Sequence, residues 1–493
     1  MNSLLQFKIP DDLNLEFIIP SDLILQPITT KQQTKTYYDS FDWRLYHNGI
    51  TAEFENNQLS LKTLKNNLTI ATIKLNQMQC FVQQLPISAV RHQLEPVLEM
   101  RALLPICTLP YQYHAYHLLN DDKKTVSRLF IEHYSELNPR LYLQIIKGYD
   151  NHAEFIIKQL KKLNCTLTTN PILLSALKQQ NNPINDYSPK LNIILHEHTK
   201  ADSASKSIFS ELLNNIQINY QGTITNIDTE FLHDFRVAVR RTRAALSQLK
   251  SVLPEDIASY YREFFSWLGT ITSQTRDLDV YLLNFDNYKN SVPEQLKPHL
   301  NPLHEFLIEK QKTAQQTLAT ELQSDYYLNT ISAWQAYLKQ PITHPSKLSI
   351  KKLADKRLKK NYQRVLAEGN AINDSSPCEA LHELRKSCKK LRYLLEFFQT
   401  LYDKDILKTF IKALKELQEV LGDFQDSSVQ IQQLKAFSVE MHHLTINQQS
   451  FLAIDALINH LNQNKLNTRA KFSDKFNAFQ QTQMQQTFQS LFE

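Results

Sequence analysis

LHDFRVAVRRTRAALSQLK, residues 232–250, returns 149 positions later as LHELRKSCKKLRYLLEFFQ, residues 381–399. His233 pairs with His382, Arg236 with Arg385, Arg240 with Lys389, Arg241 with Lys390 and Arg243 with Arg392. Lys386 adds a further cation to the second stretch. Apolar positions keep the same offset, Leu232 with Leu381 and Leu246 with Leu395. Asp277 falls 44 residues after His233, and Asp426 falls 44 after His382. An offset shared over that distance reads as an internal duplication.

A helical wheel shows what each copy presents. With the histidine at zero, positions +3, +7 and +10 fall at roughly −60°, −20° and −80°. His233, Arg236, Arg240 and Arg243 therefore share one stripe, as do His382, Arg385, Lys389 and Arg392. Leu232, Phe235, Val239, Leu246 and Leu249 lie on the far side, as do Leu381, Leu384, Leu391, Leu395 and Phe398. Each helix has an apolar back and a cationic front. Like charges at i, i+4 repel, and Asp234, Glu383 and Glu396 are too few to neutralise both stripes. An anion should sit there.

Composition narrows the classes. The chain has 493 residues, enough for two or three domains, and a formal charge of only +5, so clustering matters more than bulk charge. Between Phe231 and Lys250, four arginines and one lysine stand against one aspartate, a local +4. Six glycines in the whole chain argue against Gly-rich phosphate loops and dinucleotide folds, and favour long helices. No run of about 18 apolar residues offers a membrane span, and MNSLLQFKIPDDLN lacks the features of a secretory signal. Five scattered cysteines show neither CxxC nor ligand spacing, which suits a reduced, cytoplasmic setting with no metal and no cofactor.

Residues 1–165 read as α+β: short alternating runs such as LTIATIKL and RLYLQIIK are broken by NNG, NN and NDD turns. A short amphipathic helix, His152 to Leu163, closes the region. Residues 166–192, with Pro171, Pro183 and Pro189, read as a linker interrupted at most by a short helix. From 193 to 493 the pattern is helical, with breaks near Gly222, Pro254, Pro293–Pro302, Pro341–Pro345 and Asp374–Pro377. Two repeats, about 193–340 and 346–493, make two fused helical bundles, and the Gln/Asn-rich tail stays helical.

The pattern H-x-x-R-x-x-x-[RK]-[RK]-x-R in both repeats, followed by Arg276-Asp277-Leu278-Asp279-Val280 in the first and Leu421-Gly422-Asp423 with Asp426 in the second, resembles the CHAD family of conserved-histidine α-helical domains. The resemblance covers roughly 193–490. It implies a double helical bundle whose basic faces line a central groove or pore for inorganic polyphosphate. Ser273 stands where the second repeat has Gly422, a small change to a turn. The N-terminal region resembles the CYTH or triphosphate-tunnel fold in YYDSFDWRLYHNG (37–49), LEPVLEMR (94–101) and IIKGYD (145–150). Its catalytic marks are missing. The E-x-E-x-K places, aligned on Pro20, hold Asp12, Asn14 and Glu16; the paired arginines would fall at Glu53 and Glu55; and Gln144 stands where a metal-binding carboxylate belongs. Triphosphate hydrolysis in such a tunnel needs carboxylates for divalent metal and cations for phosphate oxygens. The fold class is therefore an α+β N-terminal domain, a degenerate tunnel-like β-barrel without catalytic residues, followed by an all-α domain of two duplicated bundles.

Arginine presents a planar fork to phosphate oxygens and lysine a compact charge. Two opposed stripes suit a polyanion, bound by His233, Arg236, Arg240, Arg241, Arg243, His382, Arg385, Lys386, Lys389, Lys390 and Arg392. Lys356 and Lys360, in the run from Lys351 to Arg364, would thicken the field, or that run is simply a solvated face. Both imidazoles can add charge on acidification, which a bound polyanion would favour; a structural hydrogen bond is the alternative for each. Asp277 and Asp426 would orient the arginines or cap helices. Glu16, Glu53 and Glu55 read as surface residues, and Tyr37, Tyr38 and Trp43 as core. Polyphosphate binding, at polyphosphate granules, is the leading function. An inorganic triphosphatase using the N-terminal domain is the alternative. Nucleic-acid binding is a second, weakened because the stripes lack interleaved aromatics beyond Tyr393.

Overall fold

The computed structural model describes residues 4–249, 252–342, 346–444 and 447–492. Lys250 and Pro345 lie outside them. The chain divides into two units, Met1–Ser188 and Pro189–Glu493.

The first unit runs β1 (Leu4–Lys8), β2 (Ile24–Asp39), α1 (Arg44–His47), β3 (Ile50–Glu55), β4 (Gln58–Thr63), β5 (Thr69–Lys74), α2 (Ala89–Leu98), β6 (Leu104–Leu119), β7 (Thr125–Tyr134), β8 (Arg140–Ile145), α3 (Asp150–Lys162), β9 (Thr166–Leu167) and α4 (Ile172–Gln179). One antiparallel sheet has the order β5-β4-β3-β2-β6-β7-β8-β1-β9. Its long central pair, β2 with β6, runs from Ile24↔Leu119 to Asp39↔Leu104, with register shifts between Pro27 and Thr29 and between Tyr37 and Tyr38. Among the described residues β5 and β9 are not paired with each other, so the sheet is open rather than a closed barrel. Residues 166–188, read from sequence as linker, pack with this unit. Thr166–Leu167 pairs with β1, and α4 buries Ile172, Leu173, Ala176 and Leu177 beside Tyr37 and Trp43.

Period-two alternation turns Lys35 and Tyr37 of β2 and Glu53 of β3 into the buried face. Glu53 is thus not a surface residue: it is 6% exposed and pairs with Lys62 at 2.8 Å. Glu55 is partly buried and accepts a hydrogen bond from the Tyr111 hydroxyl. Only Glu16 is exposed as expected. Lys35 Nζ pairs with Glu132 at 3.0 Å, and the Tyr134 and Tyr142 hydroxyls donate to the other Glu132 oxygen at 2.5 and 3.0 Å. Burial alone would lower Lys35, but Glu132 and then Glu53 outweigh it and hold the ammonium well above the usual lysine range. This face carries its own counter-ions.

The second unit contains α5 (Ala201–Thr225), α6 (Thr229–Gln248), α7 (Glu255–Ile271), α8 (Ser273–Leu283), α9 (Phe285–Ser291), α10 (Asn301–Leu322), α11 (Asp325–Lys339), α12 (Ile350–Asn370), α13 (Cys378–Phe397), α14 (Lys404–Met441), α15 (Gln448–Ala470), α16 (Phe472–Gln480) and α17 (Thr482–Gln489). No helix among the described residues is long and apolar enough to cross a membrane. Both ends of α6 recur in α13 at an offset of 149, and the first residues of α5 and α7 recur in α12 and α14. Two backbone bonds tie the halves reciprocally: Ala201 N–H donates to Leu348 O at 2.9 Å, and Ile350 N–H to Thr199 O at 2.8 Å. Each bond is the other with the 149-residue offset exchanged between its ends, the pattern of a two-fold relation.

The apolar cores cut across the sequence halves. One joins α5–α7 with α12, α13 and the start of α14. The other joins α8–α10 with the end of α14 and α15. The break expected near Gly222 comes at Asn226, which caps α5 in the left-handed region (φ 51°). Gly222 lies inside the helix because the Phe231 ring fills the place of a Cβ. Nor is Gly422 in a turn. In the first half a kink at Thr272 separates α7 from α8, whereas α14 runs unbroken through Gly422.

Candidate functional site

α6 is started by Asp228, whose carboxylate accepts from the Glu230 and Phe231 N–H groups at 3.0 and 3.2 Å. Its back buries Leu232, Phe235, Val239, Leu246 and Leu249, and α13 buries Leu381, Leu384, Leu391, Leu395 and Phe398. With both backs fixed in one core, the polar fronts line shared cavities. One, of about 470 Å³, is lined by His233, Arg236, Arg240, Arg276, Asp277, Tyr281, His382, Arg385 and Asp426, among others. The two histidines, 149 residues apart, thus face the same space.

Three of the four arginines of this cavity are held in place. Arg236 donates to Gly269 O at 3.2 Å, Thr272 Oγ1 at 2.8 Å and Ser273 Oγ at 3.1 Å. Burial and Arg240 pull its guanidinium down to about 10. Arg385 donates to Gly422 O at 3.3 Å and Asp426 Oδ1 at 2.9 Å. Arg276 donates to Thr229 O at 3.3 Å and contacts His233 Nδ1 at 3.0 Å. A guanidinium can only donate, so His233 Nδ1 is the acceptor and its proton sits on Nε2. Gln425 occupies the equivalent of Arg276, and His382 Nδ1 finds no partner among the described residues.

A second cavity, of about 610 Å³, meets the first at Arg240, which lines both. Arg243, Ser247, Arg262, Ser266, Lys386, Lys389, Lys390 and Tyr393 are among its walls. Among the described residues no acidic side chain pairs with Arg240 or Lys389, and the buried Arg240 Nε has no hydrogen-bond partner. Burial, then Arg385 and Arg240, draws the Lys389 ammonium down to about 8. Burial with Arg364 and Lys386 lowers Lys390 as well. Two equivalent cations brought together without a counter-ion form a site that gains from an anion.

Four sequence candidates sit elsewhere. Arg241 and Arg392 both reach Glu396, at 2.8 and 3.3 Å, and line neither cavity. Lys356 and Lys360 are exposed on α12, also outside both cavities. Asp426 orients Arg385 rather than capping a helix. Asp277 sits inside α8, its carboxyl pushed up by burial and drawn down by Arg236, with Gln433 donating to it at 3.4 Å. Arg276, quoted within a motif but given no binding role from sequence, and Arg262, not singled out there, also line the cavities. Their partners at the repeat offset are Gln425 and Ile411, so a reading keyed to matched cations passes over them. Among the described residues no three His, Cys, Asp or Glu side chains gather as a metal site.

Residues 207–435 match the family model described as the CHAD domain. No curated protein matches the chain. Among solved structures, the chain is similar to the CHAD domain from the plant Ricinus communis (22% identity, 61% of this chain and 95% of that one, TM-score 0.46). It is also similar to PptA from Streptomyces chartreusis (14% identity, 57% and 99%, TM-score 0.46). A third similar structure is HpAC1 from Hippeastrum, described as having a dominant triphosphatase activity (9% identity, 37% and 97%, TM-score 0.26). The helical unit of this chain thus contains a CHAD domain, over residues 207–435.

Proposed function

We propose that the helical unit binds inorganic polyphosphate along the groove formed by the two cavities between α6 and α13. The observation that carries this is the pair Arg240 and Lys389, set close together in one cavity with no ion-pair partner among the described residues, with Arg240 also lining the other cavity. Around them Arg236, Arg276 and Arg385 are held by protein acceptors and so are pre-organised. A single phosphate satisfies one or two such groups. A chain of closely spaced phosphates satisfies the row.

Titration with polyphosphate of defined length at two salt concentrations tests it. Counter-ion release lowers log K with log salt by about 0.7 per neutralised phosphate, so roughly six contacts give a slope near −4. At fixed salt, the Lys389 contribution is complete below the free value of about 8. It is lost as pH rises through that value toward the higher one imposed by the anion. Affinity should therefore fall as pH rises above about 8. A salt-independent affinity contradicts the proposal, and so does displacement of polyphosphate by RNA at equal phosphate concentration.

For the first unit we do not favour the triphosphatase reading. The buried face of its sheet carries Glu53 and Glu55 where phosphate-binding cations would be needed, and its Lys35 is engaged by Glu132.

A further inference from the structure

The two cavities are chemically unlike. In the one containing the histidines, four arginines face two carboxylates, Asp277 and Asp426. In the other, six cations face a single carboxylate, Glu263. Their modes of holding charge differ as well. Arg236, Arg276 and Arg385 already donate to protein acceptors. Among the described residues Lys389 and Lys390 form no ion pair and Arg243 reaches Ser266 at 3.4 Å, while Lys386 and Arg262 pair with Glu383 and Glu255 at 2.8 and 3.0 Å. Serine hydroxyls at 259 and 266 add rotatable donors to the cation-rich cavity.

A linear polyphosphate offers two kinds of group to such a groove. An internal phosphate bridges two neighbours and carries one charge. A terminal phosphate has a second ionisation, at about pH 6 by analogy with phosphomonoesters, and is close to dianionic at neutral pH. The extra charge and extra free oxygen need a surplus of unpaired donors and no carboxylate close by. The cavity at Lys389 and Lys390 comes closer to both conditions, with six cations against the one lining carboxylate, Glu263. The carboxylates of the other repel a second charge while its fixed arginine forks still suit single-charged links.

On the basis of the polyphosphate reading, we propose that the groove is directional: the cavity between Arg243, Lys389 and Lys390 takes the terminal phosphate of the chain, and the histidine cavity takes internal phosphates. Binding is then end-directed, and a chain whose ends carry one charge each binds less well than a free one of the same length.

The test uses the full chain and polyphosphate of one defined length, either free or with both terminal phosphates converted to singly charged phosphoramidates. Calorimetric titration of the unaltered protein should show capped chains binding about tenfold more weakly, the value of one strong charge-assisted contact. Arg243→Gln with Lys390→Gln should bind free chains less well and lose the distinction between free and capped. Both side chains reach the protein surface, so the replacement leaves the core intact. Equal binding of free and capped chains by the unaltered protein overturns end capture and leaves polyphosphate binding standing. Discrimination that survives in the double variant overturns the assigned cavity. Binding of neither chain removes the polyphosphate reading and this inference together.

Discussion

Reversing both central charges, Arg240→Glu with Lys389→Glu, should reduce polyphosphate affinity about a thousandfold while the protein stays folded. Each replacement removes a charge-assisted contact of about 1.5–3 kcal/mol and adds repulsion, and a loss of about 4 kcal/mol corresponds to that factor. Folding should be spared, because neither side chain has an ion-pair partner among the described residues to lose. The cluster of Arg240, Arg385, Lys389 and Arg392 is self-repelling, so the unliganded variant should melt no lower than the parent. Lys356→Glu with Lys360→Glu supplies the contrast. It changes the net charge equally on an exposed face outside both cavities, where screening leaves an effect of about threefold or less. Isothermal titration of the three proteins, with melting curves for each, separates a located site from a diffuse attraction to net positive charge. Equal losses in the two variants would favour the diffuse attraction.

Lys35→Met should destabilise the first unit by about 3–5 kcal/mol, because it strands the Glu132 carboxylate beside Tyr134 and Tyr142 without its cation. The pair is buried, with side-chain exposures of 5% and 9% and a separation of 3.0 Å. Adding Glu132→Gln should recover much of the loss, since a neutral amide costs far less to bury than an unpaired charge. Differential scanning calorimetry of the single and double variants measures both steps. A functional phosphate site at that position would behave differently: removing one of its cations would cost binding and not stability. A stable Lys35→Met protein would therefore reopen the question of what the sheet's polar face is for.

The cationic helices were legible in sequence because their information is local. A 3.6-residue period separates the apolar back from the charged front, and the 149-residue offset fixes both ends of α6 and α13 alike. What could not be read needs neighbours in space. Glu396 sits one turn from Arg392 but also reaches across to Arg241, so one carboxylate takes two of the expected binding residues out of the groove. The motif contains Arg276, but its role depends on α8 lying against α6 with its guanidinium on His233. Glu53 alternates correctly for a surface strand, and nothing in that period tells which face the sheet covers. Gly422 looks like a turn residue, yet it sits within the 38-residue helix α14 beside the Arg385 guanidinium.

Lysine footprinting by brief acylation, with and without saturating polyphosphate and read by peptide mass spectrometry, locates the anion directly. Lys389 and Lys390 should be strongly protected, while the exposed Lys356 and Lys360 on α12 react as before. Unchanged labelling of Lys389, or protection confined to Lys356 and Lys360, would place the anion on the outer face of the helices and contradict a site between α6 and α13.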